Sequence, residues 1–230
     1  MKSFFFIILI LLGLTPMVSA QTSNNNVDLI WEGETSVPPF YAGRPLPSAG
    51  NLARVVAIPH IFQAGRRVGG SGLTFEWVKD GNPIQSASGK GKDVLEYTVD
   101  RGGAPSVVAV KIVNDKGDLL AENRATITAT RPKIVLLTPK NLTTETTIFA
   151  EPFFFSPTEL ANRRVSFTWR INGENVGNQQ ENSQIFTISP PEEGSGEVKL
   201  SVIARSQVNP AQQTATAEAT LGFGLGNSNF

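Results

Sequence analysis

The chain has 230 residues, 40% of them hydrophobic and 17% charged, with 20 Lys and Arg against 20 Asp and Glu. That balance leaves no net basic field to draw in nucleic acid or an anionic membrane. The absence of cysteine excludes disulfides, thiolate zinc sites, thiol catalysis and lipid attachment through a cysteine. The length suits two domains of about 100 residues, each able to bury a core without covalent staples. Animal extracellular modules are commonly stapled, so an exported chain without cysteine fits a bacterial source.

Residues 1–20 open on Lys2, run through FFFIILILLGL and leave by Val18-Ser19-Ala20. A positive start, a short apolar stretch and a small-x-small exit predict a secretory signal peptide, cut after Ala20. The rival reading is a retained anchor, although the apolar run is short of the roughly 20 residues a span needs. Residues 21–26 are polar and predict a disordered N-terminus. Val27 to Trp31 predicts a first strand. A passage rich in Gly and Pro follows over residues 33–51, where Pro38, Pro39, Pro45 and Pro47 deny ladder hydrogen bonds and predict loop or edge backbone. Arg54 to Phe62 predicts a strand whose Pro59 marks a bulge or an edge, and residues 63–72 a Gly/Arg loop.

The next stretch, Leu73 to Ile84 (LTFEWVKDGNPI), has a second copy, Val165 to Val176 (VSFTWRINGENV). Phe75/Phe167, Trp77/Trp169 and Gly81/Gly173 each lie 92 residues apart. Phe and Trp two residues apart share one face of a strand. Asp80-Gly81 and Asn172-Gly173 supply a tight turn with positive φ. The repeat extends outward: Ala57-x-Pro59 aligns with Ala150-x-Pro152, 93 residues on. A period this long is a domain, so the chain divides into a β-sandwich over 27–131, a second over 132–223, and a flexible Gly-rich tail over 224–230. Strands are expected at Lys92–Val99, Pro105–Val113 and Leu119–Thr130, then Lys133–Leu137, Thr146–Phe155, Gln184–Ile188, Val198–Ala204 and Thr214–Phe223. One turn of helix over Thr158–Asn162 is the sole helical candidate.

A strand closing in Trp-x-x-Asp/Asn-Gly, followed by VAVKIVNDKGDLL, resembles the immunoglobulin-like and PKD-like sandwiches of bacterial surface proteins. The resemblance implies an all-β fold of two tandem domains. Trp77 and Trp169 would be the core tryptophans, and Asn114 with Gly117 the late turn of the first copy. The second copy departs there, with Ala204-Arg205-Ser206 and a longer loop to Gln212. The inter-sheet cysteines of antibody-type domains are missing.

No catalytic constellation is legible. The single histidine, His60, lies in a strand whose second copy has Phe153 at the matching place, and no GxSxG motif is present. The acids are scattered, with Glu76 and Glu96 on presumed outer faces, and no pair has glycosidase spacing. Arg66-Arg67 and Arg163-Arg164 lack interleaved aromatics, so nucleic acid is not expected as a partner. No cofactor is expected. The one cation candidate is calcium at Asp115 and Asp118, where a hairpin turn explains the same residues. Two apolar features exceed what a core needs. Phe153-Phe154-Phe155 places rings on both faces of a strand, which marks a contact between domains or chains. Trp31, Phe40 and Tyr41 sit on rigid loops that suit stacking on a sugar or docking of a peptide. Trp31, Phe40, Tyr41 and Phe154 are therefore the candidate contact residues for a partner or ligand.

The expectation is a non-enzymatic exported structural or adhesive module of a bacterial surface or appendage. It would be secreted, at the cell surface or in the periplasm, and would bind another surface or appendage protein. Its alternatives are a carbohydrate-binding module that uses the loop aromatics and a hydrolase with an unrecognised site.

Overall fold

The structure, a computed structural model, describes residues 25–100, 104–176, 183–191 and 194–224. The leader, residues 21–24 and the tail beyond Gly224 lie outside the described residues. The first half of the chain contains β1 (Asn26–Gly33), β2 (Leu52–Gln63), β3 (Arg66–Val68), β4 (Thr74–Lys79), β5 (Asn82–Pro83), β6 (Gly89–Lys90), β7 (Val94–Thr98), β8 (Pro105–Val113) and β9 (Leu119–Thr128). In one sheet, β1, β7 and β3 all pair with β2; in the other, the order is β5-β4-β8-β9, with β6 also on β4.

The second half contains β10 (Lys133–Leu137), β11 (Asn141–Leu142), β12 (Thr146–Phe153), α1 (Pro157–Ala161), β13 (Val165–Ile171), β14 (Glu174–Asn175), β15 (Ile185–Ile188), β16 (Gly196–Ser206) and β17 (Thr214–Phe223). Its sheets run β10-β12-β15 and β11-β17-β16-β13-β14. In sequence terms, the first, second and fifth principal strands of each half face the third, sixth and seventh. That is the strand order of immunoglobulin-like and fibronectin-III-like sandwiches. The chain is therefore all-β, with that order present twice.

Each half buries its own core. Val27, Val55, Ala57, Ile61, Phe75, Trp77, Leu95, Val110, Ile112 and Ile127 build the first. Ile148, Ala150, Phe155, Phe167, Trp169, Phe186, Leu200, Val202 and Leu221 build the second. Alternation places these side chains inward on every long strand. Glu76 and Glu96 are exposed on the outer faces.

The two halves agree bond by bond around the repeated stretch. Trp77 Nε1 donates to the Lys92 carbonyl at 2.9 Å, and Trp169 Nε1 to the Ser183 carbonyl at 2.8 Å. The next residue accepts in turn: Ala57 N–H donates to Asp93 O and Ala150 N–H to Gln184 O, both at 2.8 Å. Alternate residues of a strand face alternate sides, so Pro59 and Pro152 face the same side as these alanines. There β7 ends its pairing at Val94 and β15 at Ile185. A residue without an N–H costs nothing at a place with no partner strand.

The turn after each tryptophan has positive φ at both central residues: 51° and 82° at Asp80-Gly81, 50° and 88° at Asn172-Gly173. That is the twist-matched hairpin turn the sequence signals. Asp80 Oδ1 accepts from Val107 N–H at 2.7 Å, and Asn172 Oδ1 from Lys199 N–H at 3.0 Å.

Two local expectations are corrected. Residues 63–72 are not all loop: β3 returns on β2 through Ala64 and Gly65, at φ 48° and 76°. And β12 stops at Phe153, because Phe154 adopts φ 64°. The alternation breaks there, so Phe154 and Phe155 are both buried instead of facing opposite sides.

Candidate functional site

The chemistry-bearing groups of the described residues are dispersed. Among the described residues, no three His, Asp or Glu side chains gather as a metal ligand set. The Asn114–Asp118 candidate is occupied by its own turn. Asn114 Oδ1 accepts from the N–H groups of Lys116 and Asp118, both at 2.9 Å, and Asn114 Nδ2 donates to Asp118 Oδ2 at 2.9 Å. Asp115 faces Lys90 at 3.0 Å. His60 Nε2 meets Asp28 Oδ2 at 3.0 Å on an open face. An open dish on the outer face of β4, β8 and β9 carries Glu76, Lys111, Glu122 and Arg124 over Val78 and Ala109. Three of its charges sit in one cross-strand row, Glu76 beside Lys111 beside Glu122, while Arg124 stands in the next row beside Ala109.

One cluster of ionisable groups, Lys79, Asp80 and Tyr97, is perturbed. Lys79 donates to Asp80 Oδ2 at 2.9 Å, and this bond, with the nearby carboxylates, raises its pKa. The same bond, seconded by the Val107 N–H, lowers that of Asp80. Lys79 also stands 5.1 Å over the Tyr97 ring. This is a strand-end clamp on a turn.

What the fold does assemble is a junction. The proline-rich passage 33–51 is a strap pinned along the first sandwich. Gly33 N–H donates to Pro45 O, Glu34 N–H to Leu52 O, Thr130 N–H to Pro47 O and Gly50 N–H to Val99 O, all at 2.7 to 2.8 Å. Held this way, it presents Ser36, Tyr41 and Ser48 to the second half. Ser36 N–H donates to Phe155 O at 2.8 Å and Phe154 N–H to Ser36 O at 2.7 Å. Ser48 Oγ donates to Phe154 O at 2.6 Å. Gln213, from the loop that lengthens the second copy, enters from the other side, and its Nε2 bonds Ser48 Oγ at 3.1 Å and Ala49 O at 2.6 Å. Asn51 Nδ2 completes the cluster with a 2.8 Å bond to Ser48 Oγ. Ser48, Asn51 and Gln213 are all buried. Gly50, at φ 81°, lies so close to Asn209 that a Cβ would sit 2.5 Å from its amide nitrogen.

The four candidate contact residues divide accordingly. Tyr41 packs edge-on against Phe153 and Phe154, with centroids 5.7 and 6.0 Å apart. Phe154 is buried in that contact, so its ring faces the other half of its own chain. Trp31 lies under the Arg44 guanidinium at 4.5 Å, and Arg44 also donates to the Trp31 carbonyl. Phe40 alone is open, at 65% exposure. Trp31 stands on β1, paired with Val55, and not on a loop as expected, so the three rings do not share one loop platform. Sequence reading missed Ser36, Ser48 and Gln213. Small polar residues in a loop look alike until a partner meets them, and the only clue was the extra length of the second copy's loop before Gln213.

No protein-family model and no curated protein sequence matches the chain. Among solved structures, it is similar to the fibronectin(III)-like modules of CbhA from Clostridium thermocellum, at 14% identity, covering 82% of this chain and 92% of that one with a TM-score of 0.30. It is similar to the central fibronectin-III array of RIM-binding protein, at 12% identity over 76% of this chain and 66% of that one, TM-score 0.27. It is also similar to Sidekick-1 immunoglobulin domains 1–4, at 14% identity over 86% and 66%, TM-score 0.27. Overlaps this loose add nothing to the fold, which rests on the strand order of the chain itself.

Proposed function

We propose that the chain is a non-enzymatic structural and adhesive module, exported to a bacterial surface or appendage, which holds and spaces protein partners. The observation that carries this reading is the junction. A buried cluster of Ser48, Asn51 and Gln213, flanked by reciprocal backbone bonds between Ser36 and residues 154–155, couples the two sandwiches. A flexible linker would have sufficed to keep two independent binding units together. Gln213 Oε1 is buried without a hydrogen-bond partner, but the directional bonds made by Ser48, Asn51 and Gln213 Nε2 favour one geometry, which is what a spacer needs. Export rests on the leader read from the first twenty residues.

Fractionation of the source cells tests it. The chain is expected in the exported or surface fraction, trimmed after Ala20, and accessible to added protease. Recovery of an untrimmed chain from the cytosol overturns the reading. The carbohydrate alternative needs Trp31, Phe40 and Tyr41 to act together, and the engagement of Trp31 by Arg44 and of Tyr41 by Phe153 and Phe154 disfavours it. Retention on a glycan panel that Phe40→Ala abolishes would restore that alternative.

A further inference from the structure

The two sandwiches meet end to end, and the end of the first that receives the second has a counterpart in the second. In the first half that end carries Ala49, Val99 and Ala129, closed over by the strap and by Gln213. One repeat on, the second half has Leu142, Ile188 and Phe223 at the end remote from the junction. There they line an open cavity of about 300 Å³ together with Ile171, Pro191 and Val198. An apolar cavity of about 150 Å³ already admits benzene. Its rim is acidic: Glu197 lines it, and Glu145 accepts from the hydroxyl of Ser189, another lining residue, at 3.4 Å. Lys140 joins this end through its backbone bond to Gly222.

At the opposite extreme, the end of the first half remote from the junction, the β2–β3 hairpin carries Phe62. This ring is 50% exposed on the outward side. It pairs across the hairpin with Arg67, next to Arg66. Phe62 N–H is held by Asn25 Oδ1 at 2.8 Å, and Arg67 reaches the Pro59 carbonyl. A half-exposed ring on a hairpin that also carries Arg66 and Arg67 thus stands at one extreme, and an apolar cavity with a carboxylate rim at the other.

We propose that a second copy of this chain docks end to end, with Phe62 of one copy entering the Leu142–Phe223 cavity of the next and Arg66 and Arg67 meeting Glu197 and Glu145. The contact extends to a neighbouring chain the end-on arrangement already present between the two halves. It rests on the reading of the chain as a contact-making module, and it names the partner as the chain itself. Knob and socket are different surfaces, so each copy keeps one of each after pairing. Such a heterologous contact propagates into rings or filaments instead of stopping at a dimer.

Sedimentation velocity of the chain from Gln21 onward, which contains every residue of both sandwiches, tests this. The expected result is mass that grows past the dimer with concentration, and more strongly at low salt, because exposed charge pairs are screened. Phe62→Ser, at an exposed site, should weaken association by about tenfold or more, as truncating a central aromatic does. Ser189→Trp, at the exposed rim, should do the same by capping the socket. Mixing these two variants should restore pairing and stop it at two copies, because only one intact knob and one intact socket can meet. Arg66→Glu with Arg67→Glu should lose association, and Glu197→Lys with Glu145→Lys in the same chain should recover it. A chain that stays monomeric at low salt and high concentration overturns the proposal. So does association indifferent to Phe62→Ser and Ser189→Trp. So does association that appears only after removal of residues 225–230, which would make the tail the occupant of the cavity. None of these results bears on whether the chain is exported to the surface, which fractionation reads separately.

Discussion

Trp77 and Trp169 do at residue scale what their repetition in the sequence suggested: each fills a core and each spends its one N–H on a carbonyl across the sandwich. Replacing Trp77 by Phe keeps a ring but removes volume and leaves the Lys92 carbonyl without its donor. The expected cost is about 1–3 kcal/mol, read as a lower urea midpoint at unchanged slope. The same change at Trp169 should cost a similar amount. Asp80 offers a natural control, because Asn172 takes the equivalent N–H bond without a charge. Its carboxyl titrates below the ordinary value in the folded chain, because of Lys79 first and the Val107 N–H second. Its stabilisation is therefore complete above the unfolded-state pKa and is lost as pH falls through the lowered folded value. Lys79, with a raised pKa, acts in the opposite window: its contribution is present below its unfolded pKa and is lost as pH rises through the folded one. Asp80→Asn should keep the turn and cost under about 1 kcal/mol at neutral pH, since the ion pair is partly exposed. It should also flatten the acid limb of a stability-versus-pH curve, and an unchanged acid limb would contradict the assignment.

The strands divide, at element scale, into those set by local pattern and those set by their neighbours. Gly81 and Gly173 close their hairpins with φ above 80°, where a side chain is strained. Gly81→Ala should cost about 1–2 kcal/mol, measured by thermal melting, with no shift in the spectrum of the folded state. The hairpin β2–β3 was hidden, because Gln63 to Val68 carries two arginines and no apolar alternation. Its turn needs positive φ at Ala64, a residue that does not advertise it. The end of β12 was hidden for a related reason. Phe153-Phe154-Phe155 reads as strand, and only the pull of the junction on the Phe154 N–H and carbonyl bends it into the left-handed region. The helix α1 was legible, and Ser156 caps it by accepting from Glu159 N–H at 3.3 Å, with Pro157 at its first position.

The whole molecule behaves as the junction dictates. Ser48 accepts two side-chain bonds while donating to Phe154 O, so Ser48→Ala takes the Ser48 partner from Phe154 O and Asn51 Nδ2 and leaves Gln213 Nε2 with Ala49 O alone. Ser48→Ala and Gln213→Ala should each cost about 1–3 kcal/mol. They should also split calorimetric unfolding into two transitions, one for each core, where the parent chain is expected to melt in one. Scattering from the variants should show a broader distribution of end-to-end distances than the parent. Gly50→Ala should act in the same direction, by straining the backbone at φ 81° and pushing the Asn209 amide, which donates to Gln212 Oε1, off the strap. A single sharp transition in all three variants would mean that the halves are coupled elsewhere.

Sequence alone determined the two-fold plan, the tryptophan cores, the hairpin turns at Asp80-Gly81 and Asn172-Gly173, and the unpaired sides at Pro59 and Pro152. These depend on period-two burial and on backbone angles that a few residue types monopolise, so they are written locally. Tertiary structure alone decided that Phe154 and Tyr41 face each other across the chain, that Trp31 lies beneath Arg44, and that Ser36, Ser48 and Gln213 join the halves. Serine, glutamine and an aromatic in a loop have many acceptable environments. For Ser36, Tyr41, Ser48 and Gln213 the choice depends on residues more than 100 positions away, and for Trp31 on the fold of the strap that brings Arg44 back over it; no local pattern carries either.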